Sequence, residues 1–300
     1  MAYAASEPSA KGTLSVVLIT HNAAEQLTRA LEAVSWADEI LVVDSGSTDG
    51  TTELARRLGA KVFLKTDWQG FGHQKNFALS RASGDWILSL DADEVVDPLL
   101  AAEIQRVTRS SQGPEGMAGY TVKRVNYFCG VRLRFGLWRP VHLPRLFQKG
   151  RGRVSDDVVH ERVIIDGRVA RLKGALHHYT SESITDRIRK NDEYSNIIAR
   201  MRFQAGRGVS LWQLLLIVPA VLVRDLVLRL GMLDGKTGII VAALGAFYDF
   251  SKYAKIWELQ RRAAAGETLV MGEPTTPPAA RREKKAPTGS VGRSRPGPVG

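Results

Sequence analysis

The first hundred residues alternate four times between a short apolar run and a segment with helical spacing, and this alternation constrains the fold most. The apolar runs are LSVVLIT at 14–20, EILVVD at 39–44, KVFLK at 61–65 and DWILSL at 85–90. Continuous β-branched runs of this length are typical of buried strands. Strands that alternate with helices form a parallel sheet covered by helices. We therefore predict an α/β fold of the Rossmann-like type with a mostly parallel sheet.

Polar side chains stand at the carboxyl ends of three of these runs. They are His21 and Asn22 after the first run, Asp44 at the end of the second, and Asp91 and Asp93 after the fourth. In open α/β sheets, ligands bind outside the carboxyl ends of the strands. We therefore expect these side chains to lie around one shared cavity.

The pair Asp91 and Asp93 predicts a metal site. On an extended strand, side chains two positions apart point the same way, so both carboxylates would face the same side. Two such carboxylates repel each other unless a cation lies between them or near one of them. Hard oxygen ligands suit Mg²⁺ or Mn²⁺, and such a cation would neutralise a diphosphate leaving group.

Asp44 is followed by SGSTDGT, a segment of hydroxyl and amide groups at the start of a predicted helix. The N-terminus of a helix favours anions. A carboxylate at position 44 can accept a hydrogen bond from a nucleobase imide or from ribose hydroxyls. We predict a nucleotide there, with Asp49 capping the helix.

The pattern changes in the second half of the chain. Strands are predicted at 119–128 and 143–148, and the acidic segment 156–161 lies between two more. Ser183 and Asp186 resemble a capping box that opens a helix. The apolar side of that helix includes Ile184, Ile188, Ile198 and Met201.

Two later apolar segments, 211–223 and 238–250, are shorter than the ~20 residues that span a bilayer. Basic residues follow both segments, so we predict helices that lie in the membrane interface, the alternative being ordinary buried helices. The net charge of +11 suits an anionic partner such as a membrane surface or a phosphorylated acceptor. Nucleic acid is not expected, because the core has no basic and aromatic recognition motif.

Cys129 is the only cysteine, which excludes an intrachain disulfide and fits a reducing compartment. We predict that it is a small buried side chain. Residues 1–12 lack the apolar segment of a signal peptide, so we predict a cytoplasmic protein on the inner face of the cytoplasmic membrane.

Four segments resemble the inverting glycosyltransferases of family 2, which have the GT-A fold. They are VVLITHNAAEQL, EILVVDSGSTDGT, the KN of GHQKNFAL, and SGDWILSLDADE, in family order between residues 14 and 94. The site residues that this resemblance implies are Thr20, Asn22 and Asp44 in the nucleoside pocket, Lys75 near the diphosphate, Asp91 near the ribose or sugar, and Asp93 on the metal. The chain departs from many relatives in having Ser45 where they have a second acid.

The downstream half is similar to a narrower branch, the lipopolysaccharide core β-glucosyltransferases that modify inner-core heptose. The similar segments are RLFQKG, DDVVHERV, LHHYTSESITDRIRKNDEYS and GMLDGKTGIIVA. An inverting transfer needs a base that deprotonates the acceptor hydroxyl. Glu161 matches the branch best in this role, and Asp157 and Asp156 are the alternatives.

Other side chains have two interpretations each. Arg145 presents a planar guanidinium that suits an acceptor or a phosphate, or it is a solvated surface arginine. His178, or its neighbour His177, is a candidate metal ligand. Trp68 and Trp138 are expected in the core, with stacking on sugar rings as the alternative.

The resemblance implies an inverting, metal-dependent transfer of a hexose, first of all glucose, from a UDP-sugar to a lipid-anchored glycan. The alternatives are a polyprenyl-phosphate glycosyltransferase, a nucleotidyltransferase and a non-catalytic carbohydrate-binding protein. The predicted organisation is a disordered N-terminus at 1–12, a catalytic domain at 13–206 with a nucleotide-sugar half (13–110) and an acceptor half (111–206), membrane-interface helices at 207–265 and a disordered basic tail at 266–300.

Overall fold

The computed structural model describes residues 12–109, 116–155, 161–181 and 183–268. The two ends that were predicted to be disordered fall almost wholly outside the described residues. Asp156 and Asp157, the alternative bases, also lie outside them.

The first half of the structure confirms the predicted alternation of strands and helices. Its elements are β1 (Leu14–Thr20), α1 (Ala24–Glu32), β2 (Glu39–Asp44), α2 (Thr51–Arg57), β3 (Lys61–Leu64), α3 (Phe71–Arg81) and β4 (Trp86–Asp91). All strand pairings among these four strands are parallel. The register places Thr20 beside Asp44 and Ile19 beside Asp91, so the carboxyl ends of β1, β2 and β4 meet at one edge.

The second half extends the same sheet with pairs of both kinds. Its elements are β5 (Glu94–Val96), α4 (Pro98–Val107), β6 (Gly119–Phe128), β7 (Val131–Arg132), β8 (Val141–Gln148), β9 (Gly152–Val154), β10 (Val163–Ile165) and β11 (Val169–Ser181). Strand β8 is antiparallel to β4 and β6, whereas β11 is parallel to β6 and antiparallel to β5. Among the described residues the main sheet has nine strands in the order β3-β2-β1-β4-β8-β6-β11-β5, with β7 paired to β6. The result is a mixed sheet flanked by helices, the architecture that the GT-A resemblance implies.

The central strands are apolar on both faces because helices cover both sides of the sheet. Val16 and Leu88 pack in one core with Leu27 of α1, whereas Val17 and Ile87 face the other core. Full burial of such a side chain contributes about 1.5–3 kcal/mol. This double covering explains why the strands read as continuous apolar runs.

Cys129 is exposed, and the prediction of a buried cysteine is wrong. It lies between β6 and β7, where its φ is +47° and that of Gly130 is +76°. A tight hairpin needs this left-handed backbone at its turn and leaves the turn residues in solvent.

The helix after β11, α5 (Ile184–Gln204), is capped as predicted, because the Ser183 hydroxyl accepts from the Asp186 backbone N–H at 3.0 Å. Its apolar side does not face the core, since Ile188 and Met201 are exposed. The buried face is made of small and polar residues, namely Asn191, Ser195 and Ala199. Ser195 accepts a hydrogen bond from Lys255 Nζ at 2.8 Å, and Asn191 lines the cavity described below.

The first C-terminal apolar segment is longer than the sequence pattern indicated. Helix α6 (Leu211–Leu222) continues into a π-helical stretch at Val223–Leu228, and within the described residues Leu211–Leu228 is the helix long and apolar enough to cross a membrane by length and composition. The charges that marked its predicted end are neutralised, because the buried Asp225 carboxylate binds Arg224 at 2.8 Å and Arg229 at 2.9 Å.

Helix α7 (Gly235–Ala264) packs against α6 and α5. Gly238 lets the first turns of α7 lie close to the preceding turn at Gly231–Asp234, because a Cβ on Gly238 would lie 1.9 Å from the Gly231 carbonyl oxygen. Asn191 of α5 donates to the Leu244 carbonyl at 3.0 Å and fixes α7 beside the cavity.

Candidate active site

A cavity of about 590 Å³ opens at the carboxyl ends of β1 and β4. The predicted site residues that line it are Thr20, Asn22, Lys75, Asp91, Asp93, Glu161 and His178. Trp68 and Trp138 also line it, so neither tryptophan is confined to the core. The sheet edge that was predicted from strand ends therefore does carry a shared cavity.

Asp44 is fully buried next to that cavity, and its carboxylate organises the turn after β2. It accepts hydrogen bonds from the Thr20 hydroxyl at 2.8 Å and from the Gly46 and Ser47 backbone N–H groups at 2.9 and 2.7 Å. Thr20, at the end of β1, and Ser45, in this turn, both line the cavity. The predicted contact of Asp44 with a base or ribose stays a prediction.

Asn22, which follows β1, bonds to the loop that follows β2. Its side-chain oxygen accepts from the Thr48 N–H and its own N–H donates to the Ser47 hydroxyl, both at 2.7 Å. The φ of Asn22 is +48°, a conformation that asparagine tolerates better than most residues. This rim of the cavity is thus held by hydrogen bonds between the loops that follow β1 and β2.

Asp91 is the centre of an ion-pair network. Its Oδ1 lies 2.9 Å from Lys75 Nζ, and its Oδ2 lies 2.8 Å from an Arg145 nitrogen. Burial opposes ionisation of Asp91, but Arg145 and Lys75 outweigh it and hold the pKa of this carboxyl well below its ordinary value. The charge of Asp91 is therefore balanced by side chains of the chain itself.

Arg145 is buried, and it does not line the cavity formed by the described residues. The nitrogen that binds Asp91 also lies 2.6 Å from Oε1 of Glu94, whose other oxygen accepts from the Asp91 N–H at 3.1 Å. Burial raises the pKa of Glu94. The guanidinium of Arg145 thus links two acids and holds Asp91 in place, so the alternative of a solvated surface arginine is wrong. The predicted contact of Arg145 with an acceptor or a phosphate stays a prediction.

Asp93 lies in the turn that follows β4, so the extended-strand geometry assumed for Asp91 and Asp93 is wrong, although both side chains line the cavity. Asp93 Oδ2 is 3.3 Å from Nε2 of His178. Burial raises the pKa of Asp93, and His178 outweighs this effect and lowers it below the ordinary value.

The hydrogen bonds of His178 determine what Nε2 presents to Asp93. An amide N–H of Asn126 donates to the Trp138 carbonyl at 2.9 Å. The amide oxygen of Asn126 is therefore the acceptor that faces His178 Nδ1 at 2.8 Å. With the proton on Nδ1, a neutral imidazole turns the Nε2 lone pair toward a carboxylate oxygen. That contact is favourable when a proton or a metal cation lies between the two atoms.

Glu161 faces the same cavity, and its Oε1 lies 3.0 Å from Lys75 Nζ. Lys75 therefore bridges Glu161 and Asp91. Burial lowers the pKa of Lys75, but the two acids outweigh this effect and raise it, so the ammonium group stays charged. Of the three candidate bases, Glu161 is the one that the described residues include.

The sequence analysis missed the cavity face of α5. Arg187, Lys190, Asn191 and Tyr194 line the cavity at positions i, i+3, i+4 and i+7, the spacing of one helix face. Tyr248 of α7 and Arg124 of β6 line it as well. The polar residues at 187–194 have the spacing of one helix face in the sequence, and that spacing could have predicted this part of the cavity.

Comparisons with known proteins agree with this geometry. Residues 15–163 match the family described as "Glycosyl transferase family 2". The lipopolysaccharide core biosynthesis glycosyltransferase LpsC of Rhizobium meliloti (strain 1021) is 31% identical over 252 residues, which cover 82% of this chain and 92% of that protein. The chain belongs to glycosyltransferase family 2. It is an enzyme of the glycosyltransferase class, which sets aside the nucleotidyltransferase and non-catalytic alternatives.

Two further matches extend over most of this glycosyltransferase. The uncharacterized glycosyltransferase RT0209 of Rickettsia typhi is 29% identical over 261 residues, covering 83% of this chain and 88% of that protein. The solved mannosyltransferase PcManGT of Pyrobaculum calidifontis, in complex with GDP-Man and Mn²⁺, matches with a TM-score of 0.43 and 16% identity, covering 87% of this chain and 77% of that one. The family match ends at residue 163, so His178 and α5 lie beyond it.

Proposed function

We propose that this glycosyltransferase moves a hexose, with inversion, from a UDP-sugar to a membrane-linked glycan of the lipopolysaccharide inner core. The observation that carries the proposal is the convergence of Asp91, Asp93, Lys75 and Glu161 on one cavity at the carboxyl edge of the sheet. The named relative LpsC acts in lipopolysaccharide core biosynthesis, which supports this acceptor class. We assign catalysis to 13–206, with its two halves, and membrane binding to 207–265.

Asp93 and His178 fit a divalent cation. No cluster of three or more His, Cys, Asp or Glu side chains in the described residues is arranged as a metal site. Mg²⁺ commonly takes one or two carboxylates and completes its shell with water and substrate phosphates. When bound, Mg²⁺ or Mn²⁺ would neutralise charge on the diphosphate.

Lys75 and Glu161 have separate roles in the proposed transfer. Lys75 lies beside Asp91, where its ammonium group would balance the negative charge of the donor diphosphate. Glu161 would accept the proton of the acceptor hydroxyl while that oxygen bonds to the anomeric carbon and the bond to the diphosphate breaks. The proton then resides on Glu161 and the leaving group departs as the nucleoside diphosphate, so the transfer needs no covalent intermediate.

A donor screen tests this proposal. The full chain is incubated with UDP-, GDP- and ADP-hexoses in the presence of Mg²⁺ or Mn²⁺, and nucleoside diphosphate release is measured. We expect release from a UDP-hexose that stops when the metal is chelated. The absence of release from every donor, with and without a lipopolysaccharide acceptor extract, would falsify the proposal.

We also propose that the enzyme binds the inner face of the cytoplasmic membrane through its C-terminal apolar surface, defined as Leu211, Trp212, Leu215, Leu216, Leu228 and Leu233. These side chains are 56–74% exposed in the structure. Leu211, Trp212, Leu215 and Leu216 recur at the spacing of one helix face on α6, and an exposed apolar face of this kind marks an interaction site. The exposed Arg207 and Lys236 lie close to it in sequence, which favours an anionic bilayer as the occupant.

Replacing both Leu215 and Leu216 by glutamine should weaken binding to vesicles that contain anionic phosphatidylglycerol by about 10- to 100-fold, because each leucine would otherwise be buried in lipid. Co-sedimentation with the vesicles measures the effect. Leu64→Gln is the matched control, since Leu64 is 62% exposed on β3 in the nucleotide half. Equal sedimentation of the double variant and the wild type would exclude this surface as the membrane contact.

A further inference from the structure

The acceptor side of the cavity contains an unusual cation. Arg187, on the first turn of α5, lines the cavity and is partly buried. Its guanidinium stacks on the Trp138 ring at 4.6 Å, and its electrostatic neighbours are the hydroxyl groups of Tyr194 and Tyr248. Within the described residues no carboxylate lies within ion-pair distance of this guanidinium.

Burial without an acidic partner costs free energy, and burial indeed lowers the pKa of Arg187. Trp138 compensates in part through its ring face, but it cannot use the N–H donors at the guanidinium edge. A planar, partly desolvated guanidinium on the lining of a cavity matches the oxygens of a phosphoryl group.

Two more donors lie on the same lining. The Nε of Arg124 is buried and has no hydrogen-bond partner in the part of the chain that the structure describes. Lys190 uses one N–H on the Thr180 carbonyl at 2.9 Å, and its ammonium group has three donors. Asp186 also lines the cavity, but its carboxylate is engaged by the Ser183 hydroxyl at 2.9 Å and by Arg189 at 3.4 Å.

We propose that Arg187, with Arg124 and Lys190, forms an anion subsite that takes a phosphoryl group of the acceptor. All three residues come from the second half of the chain, whereas Lys75 serves the donor diphosphate from α3. Tyr248 brings this subsite against α7, the helix whose residues Ile239 and Phe247 are exposed. A phosphorylated glycan linked to a membrane lipid would place its phosphoryl group in this subsite and its lipid beside the exposed residues of α7. This assignment of an acceptor class rests on the proposed function.

Equilibrium dialysis with radiolabelled inorganic phosphate tests the subsite. The full chain is first saturated with Mg²⁺ and the nucleoside diphosphate that the donor screen identifies, so that the donor position is filled. We expect the wild type to bind phosphate under these conditions and Arg187→Gln to bind it at least tenfold more weakly. Arg200→Gln, a change of the same type at an exposed position on α5, should bind phosphate like the wild type.

Two outcomes overturn the inference. If the nucleoside diphosphate removes phosphate binding, the cluster belongs to the donor diphosphate; if Arg187→Gln equals Arg200→Gln, the guanidinium does not bind the anion. Should Arg187→Gln fail to fold by circular dichroism, Lys190→Gln takes its place with the same two criteria. Failure of the proposed function is distinguishable, because it appears as absent donor turnover in the wild type.

Discussion

Replacing Asp93 by asparagine is expected to reduce metal-dependent release of nucleoside diphosphate by about 10³-fold or more. The change keeps the shape of the side chain and removes the negative charge that would hold the cation beside His178. Several kcal/mol of charge stabilisation on the leaving diphosphate would be lost with it. Initial rates measured across a Mg²⁺ and Mn²⁺ titration check the effect.

Asp192→Asn is the matched control for this experiment. Asp192 is 63% exposed on α5, where it pairs with Lys255 outside the cavity, so its rate should stay close to that of the wild type. His178→Ala should raise the metal concentration needed for half-maximal turnover. Wild-type rates in Asp93→Asn, at low metal concentration, would remove the metal assignment.

The low pKa of Asp93 adds a pH criterion. Burial raises this pKa, but His178 outweighs burial and holds it below its ordinary value, so Asp93 loses its negative charge at a lower pH than a free aspartate does. Loss of turnover at a pH above the titration of a free aspartate would therefore report a group other than Asp93.

Replacing Glu161 by glutamine is expected to lower transfer by 10²- to 10⁴-fold while nucleoside diphosphate binding is retained. Glutamine keeps a hydrogen-bond acceptor for Lys75, and Asp91 still pairs with that lysine at 2.9 Å. The missing function is proton acceptance from the acceptor hydroxyl. Transfer rates and equilibrium binding of UDP, measured on the same preparation, separate these two effects.

The pH profile gives the sharper test of Glu161. Loss of the general base should remove the acidic limb from the pH dependence of kcat/KM, which a merely structural change would leave in place. Glu258→Gln, 60% exposed on α7, is the matched control. Retained transfer in Glu161→Gln would move the assignment to Asp157 and then to Asp156.

Parts of the site could be predicted because they depend on strand ends. Thr20, Asn22, Asp91 and Asp93 follow apolar runs, and the parallel register carries those positions to one edge. The cavity was therefore predictable from hydrophobic pattern and strand polarity. The turn at Asp93 was not, because the strand ends two residues earlier than the alternation of side chains assumed.

Other parts depend on contacts between residues far apart in the chain. Lys75 and Glu161 are 86 residues apart, and Arg145 meets Glu94 across 51 residues. No local pattern distinguishes a phosphate-binding arginine from one that holds Asp91 inside the wall. The packing of β8 against β4 decides it, because it buries Arg145 beside two carboxylates.

The amino-acid sequence by itself determined the parallel half of the sheet, the edge where polar residues gather and the family. The sheet and its polar edge follow from hydrophobic periodicity and from side chains at strand ends, which are local properties, whereas the family follows from the resemblance of the motifs between residues 14 and 94. Only the tertiary structure decided which charges neutralise one another, which face of α5 looks inward, and that Asp225 does not interrupt the apolar helix Leu211–Leu228. Such outcomes depend on burial and on long-range ion pairs, because a charge inside a protein costs free energy unless folding brings it a partner.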